Sequence, residues 1–320
     1  MYYFCKKKLQ FMKLQNIITF ITVLVMLLAC TQEKKNRDYT LEGPIFGTSY
    51  KIKYYNTNIN FQKSLDSLFL LVNTSTSTYS SESDISKINN GDSTIIVDAI
   101  FSEVFEKSKR IYKETDGFFD PTVGNLVNAY GFGPKNEKRD LTDAEIKEQM
   151  KFVGLEKITL KNSKVLKEDP KVYIDFNSIA KGFAIDVIAR FFDQKKIENY
   201  LIEIGGEIRA KGFKKNNKPW LIRIVNPVNS YDNNGFKTIN LSNKAMATSG
   251  NYRKFRISSE GKKYVHTINP KTGYATESNL LSASVISNKD CADLDAYATA
   301  FMAMGLEKTK EFLIKNPSIK

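Results

Sequence analysis

YIDFNSIAKGFAIDVIARFF at residues 173–192 and YLIEIGGEIR at residues 200–209 decide the architecture. Tyr173–Asp175 reads as a short strand end and Asn177–Phe192 as a helix beginning after a tight loop. Tyr200–Ile204 reads as a strand running into Gly205-Gly206. Working outward, strand character covers Tyr39–Tyr55, with Gly43-Pro44 and Gly47 as turn punctuation. Helical patterns cover Phe61–Val72, Ala99–Thr115 (stopping at Asp116-Gly117) and Leu141–Val153, opened by Thr142-Asp143. Asn73–Ser83 is a Ser/Thr-rich loop. Leu221–Val225, Ile257–Ser258 and Leu281–Ile286 are further strands, and Cys291–Met304 is a long apolar helix. Helices and strands mix without regular βαβ alternation, which predicts an α+β fold of mixed sheets with packed helices.

The 320 residues are 42% hydrophobic and 26% charged, which excludes wholesale disorder, a collagen-like fibre and a polytopic membrane protein. Three cysteines, Cys5, Cys30 and Cys291, are too few and too scattered for a disulfide framework or a zinc cluster. His266 is the sole histidine, so a multi-histidine metal site is excluded. The net charge of +13 is spread along the chain, as on a solvated lysine-rich surface or one suited to an anionic partner.

The first 29 residues read as an address. Lys6, Lys7, Lys8 and Lys13 precede an apolar run, Ile17–Ala29, which is too short for the roughly 20 residues of a membrane span. Leu27-Leu28-Ala29-Cys30 resembles a bacterial lipobox, after which Cys30 is lipidated and becomes the first mature residue; an uncleaved anchor helix is the alternative. Residues 30–38 are a polar tether and 39–320 the body. Either Met1 or Met12 serves as the start. The expected place is the periplasmic face of an envelope membrane, inner or outer, with the outer favoured by the absence of Asp after Cys30. Export disfavours a nucleic-acid partner.

Five segments carry candidate chemistry. Phe118-Phe119-Asp120-Pro121 sits between Gly117 and Gly124, as a structural turn or a clamp on a planar ring. Asp175–Gly182 ends a strand in a carboxylate and opens a helix beside Lys181, as a self-capped helix or a phosphate site. Glu203-Ile204-Gly205-Gly206-Glu207 lacks the third glycine and helix of a dinucleotide fingerprint and reads as a turn. His266 precedes the turn Asn269-Pro270-Lys271-Thr272-Gly273 and is a structural residue or an acid/base. Asp295 and Thr299 are one turn apart on an apolar helix, so the carboxylate needs a lysine or a hard cation such as Mg2+. Asp293 is expected nearer solvent.

In this order the segments resemble the FAD:protein FMN transferase family, also called ApbE-type flavin transferases or thiamine-biosynthesis lipoproteins. Asp175–Gly182 matches its D-x-x-x-I-A-K-G, Thr248–Tyr252 its T-S-G-[DN]-Y, His266–Gly273 its H-x-[IL]-[DN]-P-x-T-G, and Asp295–Thr299 its D-x-x-x-T. The resemblance runs from about Gly43 to about Lys308. It implies Mg2+-dependent cleavage of FAD and transfer of FMN to a threonine hydroxyl, releasing AMP. The implied partner is an extracytoplasmic acceptor flavoprotein with a Ser/Thr flavinylation motif. Mg2+ would be held by Asp295, Thr299 and the Ser178 carbonyl. FAD would contact Asp175, Lys181, Phe118, Phe119 and Asp120, with Phe46, Tyr79 and His266 lining the same pocket. Phe46 stands where the family often has Met. His266, Asp295 and Lys181 would be catalytic, with His266 as base. An FAD pyrophosphatase and a non-catalytic flavin-binding envelope lipoprotein are the alternatives. The family normally continues past the metal helix with a closing strand pair, so a bare sheet edge is expected near Lys320.

Overall fold

Alternation of side chains along the strands builds a sheet with two different apolar faces. A computed structural model of the chain describes Asn16, Thr19 and residues 37–134, 140–228, 236–252, 255–258, 260–275 and 278–320. Apart from Thr19, the apolar run at 17–29 lies outside the described residues, as do Cys30 and both candidate starts, Met1 and Met12. Among the described residues no helix is long and apolar enough to cross a membrane. Asp38–Lys320 pack as one unit.

The strands are β1 (Arg37–Ile45), β2 (Thr48–Thr57), β3 (Ile158–Lys161), β4 (Lys164–Lys167), β5 (Tyr200–Ile204) and β6 (Glu207–Lys211), followed by β7 (Leu221–Ile224), β8 (Lys237–Asn240), β9 (Lys244–Gly250), β10 (Phe255–Ile257), β11 (Lys263–Val265) and β12 (Ser282–Ser287). The helices are α1 (Gln62–Thr76), α2 (Asp84–Asn89), α3 (Ala99–Glu114), α4 (Gly124–Ala129), α5 (Asp143–Met150), α6 (Ala180–Gln194), α7 (Cys291–Met304) and α8 (Leu306–Lys315). Six strands form the main sheet in the order β1-β2-β5-β6-β9-β12. Pairing from β2 to β12 is antiparallel, with Ile52 opposite Ile202 and Arg209 opposite Ala245.

Ile52, Ile202, Ala245, Ala247 and Val285 face the helices and join the principal core. The alternate residues Leu201, Ile208, Met246 and Ile286 face the other way, where they pack with Trp220 and the β7–β8 hairpin. A third cluster gathers Leu126, Tyr130, Ile146, Tyr264 and Ile268 beside the main body. Helix α7 is apolar on every side and is accordingly buried on every side. Local chemistry starts and stops the amphipathic helices. The Asp98 side chain accepts the Phe101 N–H at 2.7 Å to cap α3, and Asp116 and Gly117, both at positive φ, end it. Thr142 and Glu145 form a reciprocal capping box on α5.

Several details differ from the sequence reading; Asn73–Thr76, expected in a loop, complete helix α1. Gly43 and Pro44 lie inside β1, and the chain turns at Phe46-Gly47 instead. Tyr173 makes a single β-bridge with Val123 rather than a strand end. Helix α6 starts at Ala180, because Asp175–Ile179 are used in the turn that precedes it. The expected bare edge near the C-terminus is covered at one position: Lys320 and Ile286 exchange backbone hydrogen bonds at 2.7 and 3.0 Å, and Ile319 is buried.

Candidate active site

Helices α6 and α7 cross so closely that one side chain could not be larger than hydrogen. A Cβ on Gly182 would lie 2.5 Å from the Cys291 carbonyl oxygen. One turn along, Asp186 accepts the N–H groups of Cys291 and Ala292, both at 2.9 Å, and so caps α7 from the side of α6. Burial pushes the Asp186 carboxyl up to about 6, while Arg209, 2.5 Å away, pulls it back.

This crossing sets the position of Asp295. Its Oδ2 accepts the Gly182 N–H at 3.1 Å and lies 3.5 Å from the Lys181 ammonium. Thr299 follows one turn later, its hydroxyl 3.2 Å from that of Ser249. Asp293, expected nearer solvent, is buried instead. Arg110 and Lys107 of α3 approach it at 2.6 and 3.5 Å, and the ion pairs offset the cost of taking the carboxylate out of water.

Lys181 has a second partner that the sequence reading passed over. Glu207 Oε1 lies 3.6 Å from the ammonium. The Glu207 side chain is buried, and its Oε2 makes no hydrogen bond. Burial pushes its carboxyl well above the usual carboxylate range, and Lys181 pulls it back. Burial alone would lower the Lys181 ammonium, but Asp295 and Glu207 outweigh it and raise it. Gly205 and Gly206, both at positive φ, make the tight turn that brings Glu207 here. The available signal was register: Glu207 is two residues before Arg209, so both face the helical layer.

These groups open on a cavity of about 930 Å3. Its lining includes the residues that the resemblance assigned to FAD and the cation: Phe46, Tyr79, Phe118, Phe119, Asp120, Asp175, Ser178, Lys181, His266, Asp295 and Thr299. Phe46 enters from the β1–β2 turn with its ring edge-on to Phe69. The Phe118 ring is flanked by the ammonium groups of Lys308 and Lys271, at 4.5 and 5.7 Å. Asp120 is buried, and its Oδ1 accepts from the Thr122 N–H and hydroxyl at 2.8 and 2.6 Å. Burial nevertheless pushes its carboxyl up to about 6, against those two bonds. Asp175 Oδ1 accepts the Asn177 N–H at 2.8 Å, and Asn177 reaches Thr78 at 3.2 Å. His266 follows directly on β11.

Among the described residues no group of three His, Cys, Asp or Glu side chains could hold a metal. Asp295, Thr299 and Ser178 all line this cavity, and a carboxylate, a hydroxyl and a backbone carbonyl are oxygen donors of the kind a hard cation takes. The Asp295 Oδ1 is not used by the Gly182 and Lys181 contacts. A volume near the upper end of ordinary ligand sites suits a dinucleotide better than a metabolite.

Known proteins resemble this chain over most of its length. A Haemophilus influenzae protein named FAD:protein FMN transferase is 35% identical over 318 residues, covering 95% of this chain and 91% of that protein. A Vibrio cholerae protein of the same name is 35% identical over 304 residues, covering 92% and 89%. Among solved structures, the flavin transferase ApbE from Vibrio cholerae superposes with a TM-score of 0.78 at 35% identity, covering 89% of this chain and 92% of that one. The apo form of the Pseudomonas stutzeri flavinyl transferase ApbE gives 0.79 at 26% identity, covering 88% and 89%. The model of the ApbE family matches residues 46–320, the span that supplies every wall of the cavity, and the chain belongs to that family.

Proposed function

We propose that the protein transfers FMN from FAD to a threonine hydroxyl of an acceptor flavoprotein, with Mg2+, releasing AMP. One observation carries the reading. Lys181, Asp295 and Thr299, suited to a diphosphate and its cation, share a single cavity with Phe46, Phe118 and Phe119, suited to planar rings. The relatives' names supply the substrate class.

In this reading the threonine oxygen attacks the FMN-side phosphorus of FAD. The bridging phosphorus–oxygen bond breaks, and AMP leaves with that oxygen. His266 takes the hydroxyl proton. Lys181 binds a diphosphate oxygen and offsets the charge that spreads over it. Asp295, Thr299 and the Ser178 carbonyl would hold the cation, which would supply Lewis-acid charge neutralisation. Asp175, Asp120 and the aromatic residues fix FAD in line with the acceptor. The acceptor carries a Ser/Thr flavinylation motif. The signal-like N-terminus supports an envelope location, with Cys30 acylated at the periplasmic face.

The test incubates the purified protein with FAD, Mg2+ and a peptide bearing the acceptor motif. Mass spectrometry then follows the FMN adduct and AMP. An adduct is expected, reduced about 100-fold or more by Asp295→Ala or by chelation. AMP and free FMN without adduct would identify a pyrophosphatase. Intact bound FAD would identify a binding protein.

A further inference from the structure

The β7–β8 hairpin covers the sheet face opposite the helices and has a second face of its own. Ile222, Ile224 and Ile239 turn inward onto Trp220 and Tyr55. The alternate position Leu221, with the flanking Val225 and Phe236, is exposed, as are Val228 and the nearby Phe213. Large apolar side chains clustered in water mark an interaction surface. The adjoining loop is basic: Lys214, Lys215 and Lys218 are all exposed. Trp220 ties the loop to the hairpin, because its indole N–H donates to the Lys211 carbonyl at 3.0 Å and its ring stacks on Tyr55 at 5.5 Å.

The start of the body lies at this surface. Asp38 forms an ion pair with Lys215, and both act on the Tyr55 hydroxyl beside Trp220. Asp38 lies eight positions after Cys30, a reach of at most about 28 Å when fully extended. An acylated Cys30 therefore brings this apolar and basic surface within a short distance of the headgroups.

The geometry points to the outer face of the β7–β8 hairpin, with the Phe213–Lys218 loop, as a docking surface for a lipid bilayer bearing anionic headgroups. The inference rests on the reading of Cys30 as the lipid attachment. Apolar side chains enter the interface, and the lysines meet the phosphates. The acyl chains would supply affinity and this face would supply orientation. The hairpin covers one face of the main sheet, whereas Glu207, Lys181 and Asp295 meet on the opposite, helical side of that sheet. That places the charged groups of the cavity on the side of the sheet turned away from the membrane, where a separate acceptor protein can reach them.

The test uses the full-length lipoprotein in vesicles of phosphatidylethanolamine and phosphatidylglycerol. Phe236→Cys and, on α8, Ile314→Cys each carry a fluorescent label; native Cys291 is buried and does not react. Lipid with a nitroxide at the headgroup level is expected to quench the Phe236 site about twofold or more and leave the Ile314 site unchanged. Flotation of Cys30→Ala against the unaltered chain reports the anchor separately. If the anchor holds and Phe236 is not quenched, the docking face is wrong while the lipid reading stands, and the face meets a protein instead. If both chains fail to float, the anchor reading falls and the inference with it.

Discussion

Phe46 holds a backbone conformation that its side chain disfavours. Its φ is +49° and that of Gly47 is +71°, the pair of positive values that suits Asn-Gly in a two-residue hairpin turn. A non-glycine residue there costs on the order of 1 kcal/mol, and the edge-on contact with Phe69 returns a similar amount. Phe46→Asn is therefore expected to leave stability within about 1 kcal/mol while weakening FAD binding at least about fivefold. Thermal unfolding and a flavin fluorescence titration check the two halves; unchanged FAD affinity would mean the ring does not serve the pocket. Asp120 makes a pH-dependent case. Its folded carboxyl is raised to about 6, so it binds its proton more tightly folded than unfolded. Its contribution favours the folded state below about pH 4 and is lost as the pH rises through about 6. Asp120→Asn keeps an acceptor for Thr122 and removes the charge. The variant is expected to be up to about 3 kcal/mol more stable at neutral pH, with a flatter melting profile between pH 4 and 6. Melting curves across that range measure it, and a variant that parallels the wild type would refute it.

At the scale of elements, the crossing of α6 and α7 matters most, because it places Lys181 and Asp295 together. Any Cβ at Gly182 meets the α7 backbone, which cannot move like a flexible side chain. Gly182→Ala is expected to cost about 2–3 kcal/mol and to pull Asp295 from its N–H partner, with transfer falling more than stability alone explains. Denaturant unfolding beside kinetics at saturating FAD separates the two effects. A fully stable variant would show that the helices can slide. Sequence pattern located α7 at the residues observed, because fourteen apolar-rich residues between Asp290 and Gly305 leave little choice. It misplaced the start of α6, because apolar periodicity does not show that Asp175–Ile179 form a turn.

Across the whole molecule, the cavity draws its walls from segments spread between Phe46 and Thr299, so occupancy ties the unit together. A ligand at 100 times its dissociation constant stabilises by about 2.7 kcal/mol. FAD with Mg2+ is expected to raise the melting temperature by about 5 °C or more, and Mg2+ alone by much less. Scanning fluorimetry tests this; a full shift with FAD and chelator would remove the cation from the site. The C-terminal residues belong to the same closure. Lys320 pairs with Ile286 and so occupies one position on the outer edge of β12.

The α+β class, most elements and the motifs that line the cavity were legible in the amino-acid order, because periodicity, caps and short motifs are local. Lys181 and Asp295 were legible as candidates for the same reason. Their meeting was not, since they are 114 positions apart and only the Gly182 crossing joins them. Glu207 looked like part of a turn until strand register faced it toward Lys181. Asp293 looked solvent-facing until α3, more than 180 positions earlier, supplied Arg110 and Lys107. Sequence by itself determined which groups this protein has to work with. Tertiary structure decided which charges are buried together, because the free energy of a buried charge depends on partners that the local chain does not contain.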